Sequence, residues 1–97
     1  MIRIVRMSFE PEHVEDFQRL FAERKEKIRN FAGCTYLELW QDHHDPTVFY
    51  TYSLWHDAQD LENYRLSGLF GDTWQTVKAW FREKPMAFST NPIDRLP

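Results

Sequence analysis

The run Cys34-Thr35-Tyr36-Leu37-Glu38-Leu39-Trp40-Gln41, followed by Asp42-His43-His44-Asp45-Pro46 and then Thr47-Val48-Phe49-Tyr50-Thr51-Tyr52-Ser53-Leu54-Trp55, decides how this chain is to be read. Side chains alternate along both flanks. Tyr36, Glu38 and Trp40 share one row of the first flank, and Val48, Tyr50, Tyr52 and Leu54 share one row of the second. A period of two is the signature of a strand. The Asp, His and Pro cluster between the flanks is turn chemistry, so the segment predicts a β-hairpin. The other row of the second flank is Phe49, Thr51, Ser53 and Trp55. Both of its faces are therefore rich in rings or aliphatic groups, which implies that both are covered.

Outward from the hairpin, the same reading continues in both directions. Residues Met1 to Phe9 alternate as a strand, with Ile2, Ile4, Arg6 and Ser8 in one row. Glu10-Pro11 ends it, because proline cannot donate to a ladder but suits a helix start. Val14, Phe17, Phe21, Ile28 and Phe31, with Leu20 beside them, follow helical spacing up to Gly33. Beyond the hairpin, Asp57 is placed to cap a helix carrying Leu61 and Tyr64. The apolar stripe resumes as Phe70, Trp74, Val77 and Phe81, predicting a short helix, a kink near Gly68 to Gly71, and a second helix to about Arg82. Pro85 to Thr90 reads as a last strand and residues 91–97 as an irregular tail. The order β-α-β-β-α-β is an α+β, ferredoxin-like arrangement: an antiparallel four-stranded sheet with both helices on one face. A second sheet face bearing rings needs a partner, and a two-fold homodimer with sheets face to face supplies one.

Ninety-seven residues make one domain, spanning 1–97. Eight Phe, four Trp and four Tyr give sixteen large rings. A chain this short buries only roughly 60–70% of the surface exposed when unfolded, so the surplus points to an association surface or an aromatic-lined pocket. A net charge of −3 disfavours nucleic acid as a partner. The single cysteine, Cys34, forms no internal disulfide and no thiolate zinc motif, which suits a reducing cytoplasm. The amino terminus lacks the apolar run of a signal peptide, and no stretch has the length of a membrane span.

Several residues invite a chemical reading. His43 and His44 with Asp42 and Asp45 read as a solvated turn rather than a metal site, since adjacent turn residues seldom converge on one ion. His13 reads as surface. His56, where the third strand meets the next helix, is either a base near neutral pH or a half-solvated helix-start residue. Glu38, alternating between Tyr36 and Trp40, is either ion-paired with Arg3 or Arg6 across a dimer interface or a functional acid. Nucleophile-elbow and phosphate-loop motifs are absent. The stripe Tyr64, Ser67, Phe70, Trp74 has core spacing, yet its polar-tipped rings facing Tyr50 or Trp55 also suit a pocket for a flat aromatic ligand.

Ile4-Val5-Arg6-Met7-Ser8-Phe9, Phe31-Ala32-Gly33-Cys34, and above all Ser53-Leu54-Trp55-His56-Asp57-Ala58-Gln59-Asp60-Leu61 followed by Tyr64-x-x-Ser67-x-x-Phe70 resemble the antibiotic biosynthesis monooxygenase family. The resemblance covers about residues 1 to 90. It implies a ferredoxin-like subunit, dimerisation into an α+β barrel, and a site between helices and sheet. Family members include cofactor-free oxygenases of quinols and polycyclic phenols, and haem-degrading oxygenases. The latter have a His at the position of Trp74, an Asn near Val5 and a Trp near Tyr64. All three differ here, and indole cannot ligate iron. Many other members have a His near position 64, where this chain has Tyr64.

The resemblance thus implies a monooxygenase without metal or organic cofactor, acting on a small phenolic or quinol-type aromatic with molecular oxygen. Tyr64 or His56 would handle protons and Arg6 would stabilise charge. Trp55, Trp74 and Tyr52 would hold the ring, with Tyr50, Ser67 and Phe70 completing the lining. The alternative is a non-catalytic dimeric barrel that binds an apolar or aromatic small molecule. An RNA-recognition module of the same strand order is disfavoured, because Thr47 to Tyr52 contains rings but no Lys or Arg.

Overall fold

The structure, a computed structural model, describes residues 1–97. Strands β1 (Ile2–Ser8), β2 (Cys34–Gln41), β3 (Val48–Trp55) and β4 (Met86–Thr90) form one antiparallel sheet in the order β2-β3-β1-β4. Helices α1 (Val14–Arg29), α2 (Ala58–Arg65) and α3 (Gly68–Val77) connect them. The ferredoxin-like α+β class expected from the sequence is thus the observed one. No helix is long and apolar enough to cross a membrane.

Register fixes which side chains share a face. Arg3 pairs with Ser53 and Ser89, and Ser53 with Leu37, so Leu37, Ser53, Arg3 and Ser89 form one row across all four strands. Leu39, Thr51, Val5 and Ala87 form the next row on that face. The helices cover this side. The opposite face carries the rows Trp40–Tyr50–Arg6–Met86 and Glu38–Tyr52–Ile4–Phe88.

Element boundaries follow local chemistry, and three differ from the sequence expectation. Proline at residue 11 starts a 3-10 turn, Pro11–His13, before α1 proper. The break between α2 and α3 falls at Leu66-Ser67, next to the Ser67-Gly68 interruption of the apolar stripe, and no kink follows between Gly68 and Gly71. Ser67 caps α3, its hydroxyl accepting from the Phe70 N–H at 3.2 Å and donating to the Tyr64 carbonyl at 2.6 Å. That places both glycines in the first turn of α3. The last helix ends at Val77, with a 3-10 turn to Trp80, instead of near Arg82. Residues beyond it are drawn into extended pairing with the end of β1: Phe81 bridges Phe9, and the Arg82 N–H donates to the Ser8 carbonyl at 2.8 Å.

The buried side chains form two clusters. Met7, Phe9, Phe17, Phe49 and Val77 make one; Cys34, Trp55 and Leu61 make the other, flanked by Met1, Phe31 and Tyr64. Fully burying one such side chain contributes about 1.5–3 kcal/mol. Gly33, at φ 91°, turns the chain from α1 into β2, and a Cβ there would overlap the Asp60 side chain. Its carbonyl accepts from the His56 N–H at 2.8 Å, tying the α1 exit to the α2 start. Residues 91–97 form no helix or strand and are exposed.

Candidate functional site

Between the two clusters lies a cavity of about 410 Å³, within the range of small-molecule sites. Its origin is visible in the residues of the sheet. Bulky Met7 and Phe49 stand at one end of the covered face and Trp55 at the other. The middle is paved with Val5, Thr51, Ser53 and Ala87, which are too short to reach the helices. Phe17, Phe21 and Ile28 of α1, Leu61, Tyr64 and Arg65 of α2, and Phe70, Thr73, Trp74 and Val77 of α3 form the roof and walls.

An unbroken series of ring contacts supports these walls. Trp55 stacks on Tyr64 at 5.2 Å between centroids, Tyr64 meets Phe70 edge-on at 5.3 Å, and Phe70 stacks on Trp74 at 5.7 Å. Trp74 continues to Phe81, Phe81 to Phe9, and Phe9 to Phe17 at 5.5, 5.4 and 4.2 Å. Trp55 is fixed from below, its indole N–H donating to the Ser53 hydroxyl at 2.9 Å.

Polar groups are few and concentrated toward the start of β1. Arg3 donates to the Ser89 hydroxyl at 3.0 Å, and Arg65 pairs with Glu62 at 3.2 Å. Burial, then the neighbouring Arg65 charge, lowers the Arg3 pKa, with Glu62 acting in the opposite sense. The Tyr64 phenol is pushed up to about 12, by burial first and by the nearby Cys34 second. It is therefore a neutral hydrogen-bond donor at physiological pH and not a base. The lining contains no carboxylate and no imidazole.

Of the residues singled out from the sequence, Tyr64, Phe70 and Trp74 line the cavity. Trp55 lies beneath Tyr64, and Ser67 is committed to capping α3. Arg6, Tyr50 and Tyr52 lie on the opposite sheet face, because strand alternation sends them there with Ile2 and Ile4 while Arg3, Thr51 and Ser53 face the helices. Arg6 pairs with Glu83 at 3.7 Å, and the Tyr50 hydroxyl donates to Asp42 at 3.0 Å. His56 is outside the lining: its side chain is 78% exposed and lies 3.5 Å from Asp57 and 3.6 Å from Asp60.

Those three side chains present ligand atoms within 4.8 Å of one another, but Asp57 already caps α2. The positive end of the helix dipole also faces them, which disfavours a cation. Glu38 accepts from the Tyr36 hydroxyl and from the Trp40 indole at 2.7 Å, so its partners are its own strand neighbours and not an arginine. The sequence alone does not place Arg3, Arg65, Thr51, Ser53 or Thr73 in the cavity, and it offers Arg3 only as a partner for Glu38. The alternation of β1 and β3, anchored on the core residues Met7 and Phe49, is the signal that identifies the first, third and fourth of these.

Residues 1–79 match the model of the antibiotic biosynthesis monooxygenase family. The chain belongs to that family. Solved structures share the fold. A candidate antibiotic biosynthesis monooxygenase from Nitrosomonas europaea is 19% identical, with 96% of this chain and 98% of that chain covered and a TM-score of 0.88. A Mycobacterium tuberculosis protein is 16% identical over 99% and 97% of the two chains, also with a TM-score of 0.88. A Pseudomonas aeruginosa protein is 25% identical over 94% and 93%, with a TM-score of 0.78. No curated protein matches the chain.

Proposed function

We propose that this member of the family is a cofactor-independent monooxygenase of a small phenolic or quinol-type aromatic. The observation that carries the reading is the apolar, ring-walled cavity with Tyr64, Phe70 and Trp74 on one wall and cationic groups at one end. An ionised phenol is electron-rich enough to reduce oxygen itself, so the protein has to hold it in a dry site and stabilise the charge that moves onto oxygen. In the simplest case the phenol loses one ring C–H and its O–H hydrogen. One atom of dioxygen becomes the second quinone oxygen, and the other leaves as water. Tyr64 donates a hydrogen bond to the developing oxyanion, while Phe70 and Trp74 hold the ring. With no imidazole, thiolate or carboxylate in its lining, the cavity has no strong metal-ligating set. Trp74, in the place of the histidine of haem-degrading relatives, argues the same way.

We further propose that the exposed sheet face pairs with a second copy. Tyr36, Trp40, Met86 and Phe88 are 43%, 39%, 48% and 50% exposed there. A self-complementary apolar sheet face suits a two-fold homodimer.

The deciding experiment is oxygen consumption by the purified protein with a panel of hydroquinones and polycyclic phenols, with product identified by mass spectrometry. A product one oxygen richer, formed only with protein, is expected. Saturable quenching of tryptophan fluorescence by the same compounds without uptake above blank would instead favour a non-catalytic binding protein.

A further inference from the structure

Among the charged side chains of the cavity, Arg3 stands apart. Arg65 is offset by Glu62, 3.2 Å away. Away from the cavity lining, Arg6, Arg19 and Arg82 have carboxylates within 4.0 Å, while Arg24 and Arg29 donate to the Thr73 hydroxyl and the Cys34 carbonyl. Arg3 has no such carboxylate, and its guanidinium's only hydrogen-bond partner is the neutral Ser89 hydroxyl at 3.0 Å. It is nevertheless in the row that faces the helices, it lines the cavity, and it is partly withdrawn from water. With two cations and no anion in the lining, and Glu62 balancing one of them, one positive charge is left without a partner. A guanidinium against apolar walls gains most from an oxyanion delivered between them.

The cavity also has a direction. Arg3, Val5 and Met7 follow one another along its floor, so its axis runs roughly 13 Å along β1 from the cation to the Met7, Phe17 and Val77 end.

We infer that the cavity binds its ligand as a monoanion, an aryl oxyanion whose charged oxygen rests on the Arg3 guanidinium while its rings extend toward Phe17 and Val77. This rests on reading the cavity as the site of an aromatic substrate, and it makes Arg3 the residue that selects for charge. The oxyanion is a ring carboxylate or the ionised phenol itself.

Three probes of similar shape test this in the wild-type protein by tryptophan fluorescence titration: 2-naphthoate, 2-naphthol and 2-methoxynaphthalene. At neutral pH, 2-naphthoate is expected to bind about tenfold or more tighter than 2-methoxynaphthalene. Arg3→Gln should bring that ratio close to one, and Arg3→Lys should retain most of it. Thermal melts of both variants confirm that they are folded. Affinity for 2-naphthol that rises with pH identifies the phenolate as an accepted form, whereas a flat profile beside tight 2-naphthoate binding identifies the carboxylate. The inference is overturned if the wild type binds none of the probes, if it binds 2-naphthoate no better than 2-methoxynaphthalene, or if Arg3→Gln preserves the ratio. Because binding is read without turnover, charge selectivity without oxygen consumption would remove the monooxygenase reading and leave this one standing. Oxygen consumption without charge selectivity would do the reverse.

Discussion

Trp55 lies beneath Tyr64, ring centroids 5.2 Å apart and planes 30° apart, so the phenol that lines the cavity is seated on an indole that β3 holds through Ser53. Phe31 meets Tyr64 from another side at 5.3 Å. The position of the phenol ring is thereby set before any ligand arrives, which is the preorganisation that electrostatic stabilisation of an oxyanion requires.

Removing the hydroxyl alone should leave the seat intact. Tyr64→Phe is expected to lower kcat with a phenolic substrate by about a hundredfold, the order of magnitude for one oxyanion donor, with little change in KM. Steady-state oxygen-electrode kinetics measure both. A variant as active as wild type would exclude Tyr64 from the chemistry.

The same residue has a thermodynamic signature that needs no substrate. Its folded pKa of about 12 exceeds the value of about 10 for a tyrosine in an unfolded chain. Between those values the unfolded chain releases a proton that the folded one retains, so stability falls as pH rises through this window, by about 2–3 kcal/mol in total. Urea denaturation at about pH 9 and about pH 11 should show a smaller alkaline loss for Tyr64→Phe than for wild type.

No imidazole or carboxylate lines the cavity, so on the proposed reading the proton leaving the substrate passes to water. kcat/KM is expected to rise with pH along the substrate's own ionisation. A histidine limb near pH 6–7 should be missing. His56→Ala should stay within about twofold of wild type, whereas loss of a general base would cost about a hundredfold or more. A drop of that size would return His56 to the mechanism.

The proposed pairing of sheets is open to a single charge. Trp40→Glu, or Phe88→Glu on the opposite edge of the same face, should yield monomers in light scattering with the helical circular dichroism unchanged. Wild-type protein that elutes as a monomer at micromolar concentration would end the dimer proposal.

Gly33→Ala tests the link between α1 and α2. The backbone there is left-handed and the new Cβ would collide with Asp60. A loss of about 1–3 kcal/mol is expected, measured as a lower urea midpoint with unchanged slope.

The elements themselves were legible because periodicity reports burial directly. The alternation of residues 34–55 and the helical stripe from Val14 to Phe31 each bury one face, and the structure follows them. The cavity lining was legible only on the helices: the spacing of Tyr64, Phe70 and Trp74 puts them on one side of α2 and α3, whichever way the sheet turns. On β3, both rows carried rings, so hydrophobicity did not say which row faced inward. Aromatic content favours the row of Tyr50 and Tyr52, and with it Arg6, whereas packing uses the smaller one. Thr51 and Ser53 carry no signal of their own in a single sequence. The cavity exists because they are small.

That floor of short side chains has a consequence for how the protein responds to heat. Filling it with larger residues would complete the core; left open, the two clusters are joined by surrounding rings with a gap between them. A ligand held in the gap would act as a missing piece of the core, and its binding would add to folding free energy by RT ln(1 + [L]/Kd), about 2.7 kcal/mol at a hundredfold excess over Kd. Melting temperature becomes a readout of occupancy that requires no turnover. A library of aromatic acids and phenols can be ranked by the temperature at which this chain comes apart.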